Sequence, residues 1–382
     1  MDFDLSDEQR MLQDSVARLI ANGYGFEQRK AYLAEPGGYS HAMWAQYAEM
    51  GLLGLPFSEA DGGFGGGPVD TLIVMQSLGQ ALALEPYLAT VVLCGGLLRD
   101  AGSKEQRAAH LPAISAGERT LAFAHSEADA RFDLGHVAAT ARADGTGWVI
   151  QGAKRFVLSG DSADTLIVSA RTHGSAGDRD GLSLFLVGAT TAGVSRRGYL
   201  MQDHSRAADI TLDRVHVGAE ALIGPAGTAL PLIERAVDQA IAALCAESIG
   251  VMERVHELTV DYLKLRKQFG VAIGSFQALQ HRAVDMLVAI EQARSMALYA
   301  TMMCSEPDSA ARSSAISAAK VQIGRSARFV GQEAIQLHGG IGMTEDCQAG
   351  HYFRRLTVIE MLFGDTAHHL GRVARAGGLI AA

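Results

Sequence analysis

Hydrophobic residues in the first ~115 positions recur with the period of a helix face. Met11, Leu12, Val16, Leu19 and Ile20 line one such face, and Ser6 with Gln9 behind Leu5 forms a capping box at its start. A second helical stretch carries Trp44, Tyr47 and Met50 and is broken by Gly51 and Pro56. Glu59 to Asp70, EADGGFGGGPVD, is too rich in glycine for a regular element, because each glycine costs extra backbone entropy there. The composition predicts a flexible surface loop, or else backbone brought close to a ligand. It is no P-loop, lacking the strand before it and the Lys-Ser/Thr after it. Helical pattern resumes at Thr71 and runs to about Gly117.

Near residue 120 the period changes. Thr120 to His125, Val137 to Arg142, Gly147 to Gly152, Phe156 to Ser159, Thr165 to Arg171, Leu182 to Val187 and Val215 to Val217 are short runs rich in Val, Ile, Thr, Phe and Leu. Turn clusters such as DGTG and GSAGDRDG separate them, so they predict a compact β domain. After Gly224 and Pro225 long helical patterns return, over Pro231 to Arg266, Phe276 to Cys304, Ser309 to His338 and His351 to Ala376. Helices, then strands, then helices predict three domains: 1–118 helical, 119–226 β and 227–382 helical.

Composition narrows the functional classes. The chain has 382 residues, with 33 Lys+Arg against 42 Asp+Glu and a formal charge of -9. That balance lacks the basic footprint of a nucleic-acid binder. A 48% hydrophobic and 20% charged composition excludes disorder as the main state. Cys94, Cys245, Cys304 and Cys347 form no metal or CxxC spacing, so they read as reduced thiols of a cytoplasmic protein. The polar start MDFDLSDEQR is no secretory signal, and the longest apolar run, Pro86 to Leu98, is too short to span a membrane. His368 and His369 are adjacent, a poor metal pair, and no metal is assigned. Glycine is in excess, 43 of 382 or about 11% against a usual ~7%.

Two segments carry candidate chemistry. Arg266-Lys-Gln-Phe-Gly270 is followed by Ser275-Phe-Gln-Ala-Leu-Gln280. An Arg at a helix end, a glycine turn and paired glutamines suit an anionic ligand with amide-binding edges, since Arg forks onto phosphate oxygens and Gln both donates and accepts. An ordinary helical hairpin with a basic C-terminus is the alternative. Gln336-Leu-His-Gly-Gly-Ile-Gly-Met-Thr344 ends another helix with Gly339, Gly340 and Gly342, more glycine than a C-cap needs. With no strand before it, this is not a dinucleotide fingerprint. His338 reads as a packed or capping histidine.

Together, RKQFG…SFQALQ and QLHGGIG resemble the acyl-CoA dehydrogenase family of flavoproteins, and the helix, β, helix order resembles that family's fold over nearly the whole chain. FEQRKAY, GLLGLPF, GGFGGGPV, ALALEPYLATVVL and HYFRRL are similar to the pimeloyl-CoA dehydrogenase small-subunit type. The resemblance implies an α+β architecture: an N-terminal helical domain, a β-barrel-like middle domain and a C-terminal four-helix bundle. It also implies FAD, an acyl-CoA substrate, an acceptor such as electron-transfer flavoprotein, and a homo- or hetero-oligomer, dimer or tetramer. Arg266 takes the role of the FAD pyrophosphate ligand, with Phe269 packing nearby and Gln277 as an amide contact. Gln336, Gly339 and Gly340 take the ADP portion. Where relatives have T-E-P and W-I-T-N segments against the flavin, this chain has Ser126-Glu-Ala-Asp129 and Phe156-Val-Leu-Ser159. Ser126 replaces the Thr hydroxyl, Phe156 the Trp wall, and Ser159 is left to supply the hydroxyl that Leu158 lacks.

The implied reaction removes an α-proton from the thioester while hydride leaves Cβ for the flavin, which needs a carboxylate near Cα and donors on the carbonyl oxygen. Most relatives place that Glu in Tyr-Glu-Gly-Thr. Here the segment is Leu362-Phe-Gly-Asp-Thr366, which puts Phe363 or Gly364 at the Glu position. Other relatives carry the base on the helix before R-x-x-F-G, at a position that falls on Ala240. Glu247 lies two turns further along, about 10 Å away. Glu247, among apolar neighbours, is therefore one candidate base and Asp365 the other. Each has a structural alternative: an ion pair with an Arg of a neighbouring helix for Glu247, a helix N-cap for Asp365. The functions left open are a dehydrogenase acting as one subunit of a hetero-oligomer, a non-catalytic half of a flavin site, and an oxidase or monooxygenase on the same fold.

Overall fold

The computed structural model describes residues 5–377. Its helices in chain order are α1 (Asp7–Gly23), α2 (Phe26–Leu33), α3 (His41–Glu49), α4 (Pro68–Ala81), α5 (Gly96–Ala101), α6 (Lys104–Ser115), α7 (Leu230–Leu265), α8 (Gln277–Met303), α9 (Ser309–His338), α10 (Gln348–Met361) and α11 (Thr366–Arg375). The strands are β1 (Leu121–Ala124), β2 (Thr140–Asp144), β3 (Gly147–Leu158), β4 (Thr165–Arg171), β5 (Leu182–Gly188), β6 (Val194–Leu200), β7 (Arg206–Gly218), β8 (Leu222–Ile223), β9 (Lys267–Gln268) and β10 (Val271–Ala272). They form two compact units, one of Met1–Lys30, Pro68–Ala83 and Ile241–Ala382, the other of Ala31–Gly67 and Leu84–Ala240.

The first unit is helical. The Ser6–Gln9 capping box starts α1, with both reciprocal bonds made, and Val16 and Ile20 bury its apolar face. Helices α4 and α7 approach backbone to backbone through glycine. A Cβ on Gly79 would lie 2.2 Å from the Glu247 carbonyl oxygen, and one on Gly250 would lie 1.9 Å from that of Gln76. Helix α9 is the central element, packing on α8, α10 and α11 with Ile316, Ala319, Ile323, Val330 and Leu337 buried at helical spacing.

The single helix expected over His351 to Ala376 is two helices. Leu362 to Asp365 separates them, because Gly364 takes φ +116 and Asp365 caps α11 by accepting the His368 N–H at 2.7 Å.

The second unit holds the sheet, in the order β6-β7-β3-β2-β4-β5-β8, with β1 paired parallel to β4. Ile150, Val157, Leu166, Val168, Phe185, Val187, Ile210, Leu212 and Val215 fill its core. Two expected runs, Gly147 to Gly152 and Phe156 to Ser159, largely fall in one strand, β3, which crosses two register shifts against β7. Val215 to Val217 is the end of the longer β7. Strand β6 is new relative to the sequence pattern: it is an edge strand, largely exposed, and its SRRGY run carries no apolar alternation.

The glycine-rich Glu59 to Asp70 segment is not a flexible loop. N–H groups of Gly63, Phe64, Gly65 and Gly66 donate to carbonyls of Ser58, Gly54, Phe57 and Leu55 at 2.6–3.2 Å. A Cβ on Gly63 would sit 2.3 Å from the Gly54 oxygen, so close approach to its own chain is what requires glycine there.

Candidate functional site

In the helical unit, α7 ends at Leu265 and the chain turns through a two-residue hairpin, β9–β10, with Gln268 paired to Val271. Its central residues, Phe269 and Gly270, take φ +53 and +80, the left-handed pair of a type I′ turn. A phenylalanine in that conformation is uncommon, and its ring is 91% exposed. Phe276 meets it edge-on at 6.2 Å. Arg266 and Gln277 are exposed on either side of the hairpin.

Tyr262, one turn before Arg266, stacks on His338 at 4.6 Å and 24°. His338 therefore packs, with its Nδ1 2.8 Å from the Ala334 oxygen, and burial pulls its pKa down. The stack brings Arg266 and the glycine segment to one region. Gly339 adopts φ +65 with ψ -145, a conformation essentially restricted to glycine. Gly339 and Gly340 are exposed, and a Cβ on either would meet nothing within 4 Å. Gly342 has an internal reason instead: its Cβ would lie 2.9 Å from the Ile335 oxygen.

Both candidate bases have structural partners. Glu247 is buried and takes a bidentate fork from Arg355 of α10, Nε to Oε1 at 2.6 Å and Nη2 to Oε2 at 2.9 Å. Asp365 is the α11 N-cap. Phe363 precedes it at φ +57, and its carbonyl lies 3.1 Å from Nε2 of His369. His369 Nδ1 is 3.1 Å from Ser317 Oγ. Burial, with Lys320, His368 and Arg372 nearby, depresses His369 to about 3, so it is neutral. Lys320, fully buried, donates to the Ile359 carbonyl, and burial brings it down to about 8. Glu360 accepts the Thr366 N–H at 3.2 Å. The Leu362 to Asp365 segment is thus fixed from several directions.

In the sheet unit, Ser126 is exposed just after β1, Phe156 sits in β3 at φ +56 and 41% exposed, and Ser159 follows at φ +54. The Ser126 carbonyl accepts the Arg155 N–H at 2.8 Å, placing Ser126 beside the residue that precedes Phe156. Beneath them lies a buried polar network. Lys154 Nζ reaches Glu127, Ser169 and the His125 carbonyl. Burial lowers Lys154 to about 8 against the pull of Glu127. Burial pushes Glu127 up, yet Lys154 and two backbone N–H groups outweigh it and hold the carboxyl below its ordinary range. Burial beside Lys154 depresses His125 to about 3.

Known families match this arrangement along the chain. The profile for "Acyl-CoA dehydrogenase, N-terminal domain" covers residues 6–118, that for the middle domain 122–215, and that for the C-terminal domain 230–378. The chain belongs to the acyl-CoA dehydrogenase family. This is a family of flavin-dependent oxidoreductases acting on CH–CH groups. The chain is 28% identical to the short-chain specific acyl-CoA dehydrogenase of Clostridium acetobutylicum, covering 95% of this chain and 96% of that one. It is 29% identical to acryloyl-CoA reductase (NADH) of Anaerotignum propionicum, over 98% and 95%. A variant of the Tcur3481-Tcur3483 steroid ACAD superposes with a TM-score of 0.87 at 29% identity, covering 97% of each chain. The helix, β, helix reading of the fold agrees with the family.

Sequence reasoning missed Lys154 and Arg355. Each is a basic residue whose partner lies far along the chain, Glu127 and Glu247; the ion pair expected for Glu247 is made, but which Arg makes it was not legible, and only the Glu of Ser126-Glu-Ala-Asp129 hinted at Lys154. No described helix is long and apolar enough to cross a membrane.

Proposed function

We propose that this chain binds FAD and acts as an acyl-CoA dehydrogenase, introducing an α,β double bond into an acyl-CoA in the cytoplasm as one subunit of a hetero-oligomer. The observation that carries the reading is the joining of exposed Arg266 to the Gln336–Gly340 segment through the Tyr262–His338 stack. A guanidinium beside open glycine backbone suits a pyrophosphate flanked by a nucleoside. Arg266, Gln277, Gln336, Gly339 and Gly340 of the helical unit would hold an ADP moiety, and Ser126, Phe156 and Ser159 of the sheet unit a flavin ring, each unit considered by itself. FAD, when bound, supplies the hydride acceptor. Exposed Phe269, Val284, Leu287 and Val288 support a second subunit, because such apolar surface seeks cover. The similar Tcur3481-Tcur3483 steroid ACAD carries two protein names. Resemblance to the pimeloyl type favours a dicarboxylyl substrate, and electron-transfer flavoprotein or a similar carrier is the acceptor.

A second reading has its own observation. Phe363 or Gly364 stands where the resemblance puts a base, neither of them a carboxylate, while Glu247 is forked by Arg355 and Asp365 caps a helix. The chain is then a non-catalytic half whose paired subunit brings the carboxylate. Turnover of pimeloyl-CoA and heptanoyl-CoA by the reconstituted pair decides between them. Loss of turnover with flavin retained in Glu247→Gln or Asp365→Asn assigns the base to this chain. Unchanged turnover in both supports the non-catalytic half. Absence of acyl-CoA-dependent acceptor reduction refutes both, and fast oxygen consumption by the reduced pair points to an oxidase.

A further inference from the structure

One buried ammonium grips the residues on both sides of Ser126. Lys154 is fully buried in β3, and its Nζ donates to the His125 carbonyl at 3.1 Å, to Glu127 Oε1 at 2.7 Å and to Ser169 Oγ at 3.0 Å. Its three N–H groups thus have three acceptors. Two of them belong to the residues immediately before and after Ser126. The next residue in β3, Arg155, donates its N–H to the Ser126 carbonyl. Ser126 is therefore fastened to β3 at Lys154 and Arg155, directly before Phe156.

The rest of the network extends this hold. Glu127 accepts the Ala138 N–H at 2.7 Å and the Ala139 N–H at 3.1 Å, closing the segment between β1 and β2. Ser169 Oγ takes a hydrogen bond from Lys154, so its own proton goes to His125 Nδ1, 2.9 Å away. On the outer side, the register of β3 against β7 shifts between Lys154 and Val157, where Phe156 turns to φ +56. The Asp209 carboxylate, on β7, pairs with Arg155 and Arg197.

Stability alone does not account for the ion pair. It borders an otherwise apolar sheet core, where well-packed hydrophobic residues are commonly as stabilising as a buried pair. What the pair supplies and an apolar pair lacks is direction: three fixed bonds that converge on one turn of backbone.

We propose that Lys154, acting through Glu127 and the His125 carbonyl, is a positioning residue that sets Ser126 and Phe156 as the surface receiving the flavin ring. This rests on the reading of those residues as flavin contacts. Substrate and cofactor never touch Lys154; it acts through the backbone it holds.

The test compares wild type with Lys154→Met, the double variant Lys154→Met/Glu127→Leu, and Leu212→Ala, a core truncation in β7 away from the network. Each is prepared with its paired subunit, stripped of flavin and titrated with FAD while thermal stability is followed. Lys154→Met leaves Glu127 buried without its cation, and the double variant removes both charges, so it melts above the single variant. FAD dissociation constants rise at least tenfold in both, and the bound-flavin spectrum changes shape. Leu212→Ala melts lower but binds FAD as wild type does. Should Lys154→Met fail to fold, the double variant carries the comparison. A double variant with wild-type FAD affinity and spectrum overturns the clamp alone, as does an equal loss of affinity in Leu212→Ala. Wild type that binds no FAD overturns the flavin-site reading and the clamp with it.

Discussion

Replacing Arg355 by methionine tests whether Glu247 is a structural acid or a reserve base. Glu247 is buried and Arg355 mostly so, with side-chain exposures of 6% and 15%, and the fork uses both carboxylate oxygens. Removing one partner leaves the other charge without compensation in the interior, which costs about 3–5 kcal/mol. Removing both, in Arg355→Met/Glu247→Leu, leaves an apolar pair of similar volume and costs far less, so the two sites couple strongly in a double-mutant cycle. Denaturant unfolding followed by intrinsic fluorescence measures all four proteins. A single-variant cost below about 1 kcal/mol, additive with Glu247→Leu, would refute the reasoning. Glu247 would then be free of Arg355 in solution and open to service as a base.

Three further outcomes follow from the same geometry. His125 and His369 are each held near 3 in the fold against an ordinary 6.5. The unfolded chain therefore binds more protons below pH 6.5, so their stabilisation is complete above that pH and is lost as pH falls toward 3. At pH 5 the loss is about 2 kcal/mol for each, and His125→Gln or His369→Gln should flatten a melting-temperature profile between pH 6.5 and 4. Asp365→Ala should cost ~1 kcal/mol through the lost cap, whereas Asp365→Asn should melt as wild type, so any loss of turnover in the latter is chemical rather than structural. Gly250→Ala should destabilise by 3 kcal/mol or more, on the order of a severe overpacking, because its methyl would meet the Gln76 backbone; a change under ~0.5 kcal/mol in thermal unfolding would contradict the helix crossing.

What the sequence made legible was local. Ser6 and Gln9 announce α1 because the cap is made by residues three apart, and β4 and β5 are plain because both are largely buried and carry the apolar runs Leu166 to Val168 and Leu184 to Val187. Strand β6 was illegible because an exposed edge strand needs no apolar pattern, only the Arg197 to Asp209 pairing of its neighbour. Asp365 read as a cap already implies a helix starting at Thr366, whereas the periodicity alone runs the two helices together, since Met361 and Leu362 continue the apolar pattern up to Gly364. Lys154 fell between two expected strands, Gly147 to Gly152 and Phe156 to Ser159, and only the continuous β3 places it inside one. Its burial depends on Glu127, and that of Glu247 on Arg355, partners that only the tertiary fold supplies. The glycine excess separates along the same line: Gly63 and Gly342 serve close packing within the chain, while Gly339 answers to backbone conformation on an exposed surface.

The central claim is that this chain builds a flavin site that serves an acyl-CoA. An anaerobic acyl-CoA titration of the chain purified with its paired subunit, followed by visible absorbance, tests it most directly. The account predicts an oxidised flavin band that bleaches on addition of acyl-CoA and is absent from the Arg266→Ala complex. A preparation with no flavin after incubation with FAD, or a flavin band that no acyl-CoA perturbs, would contradict it.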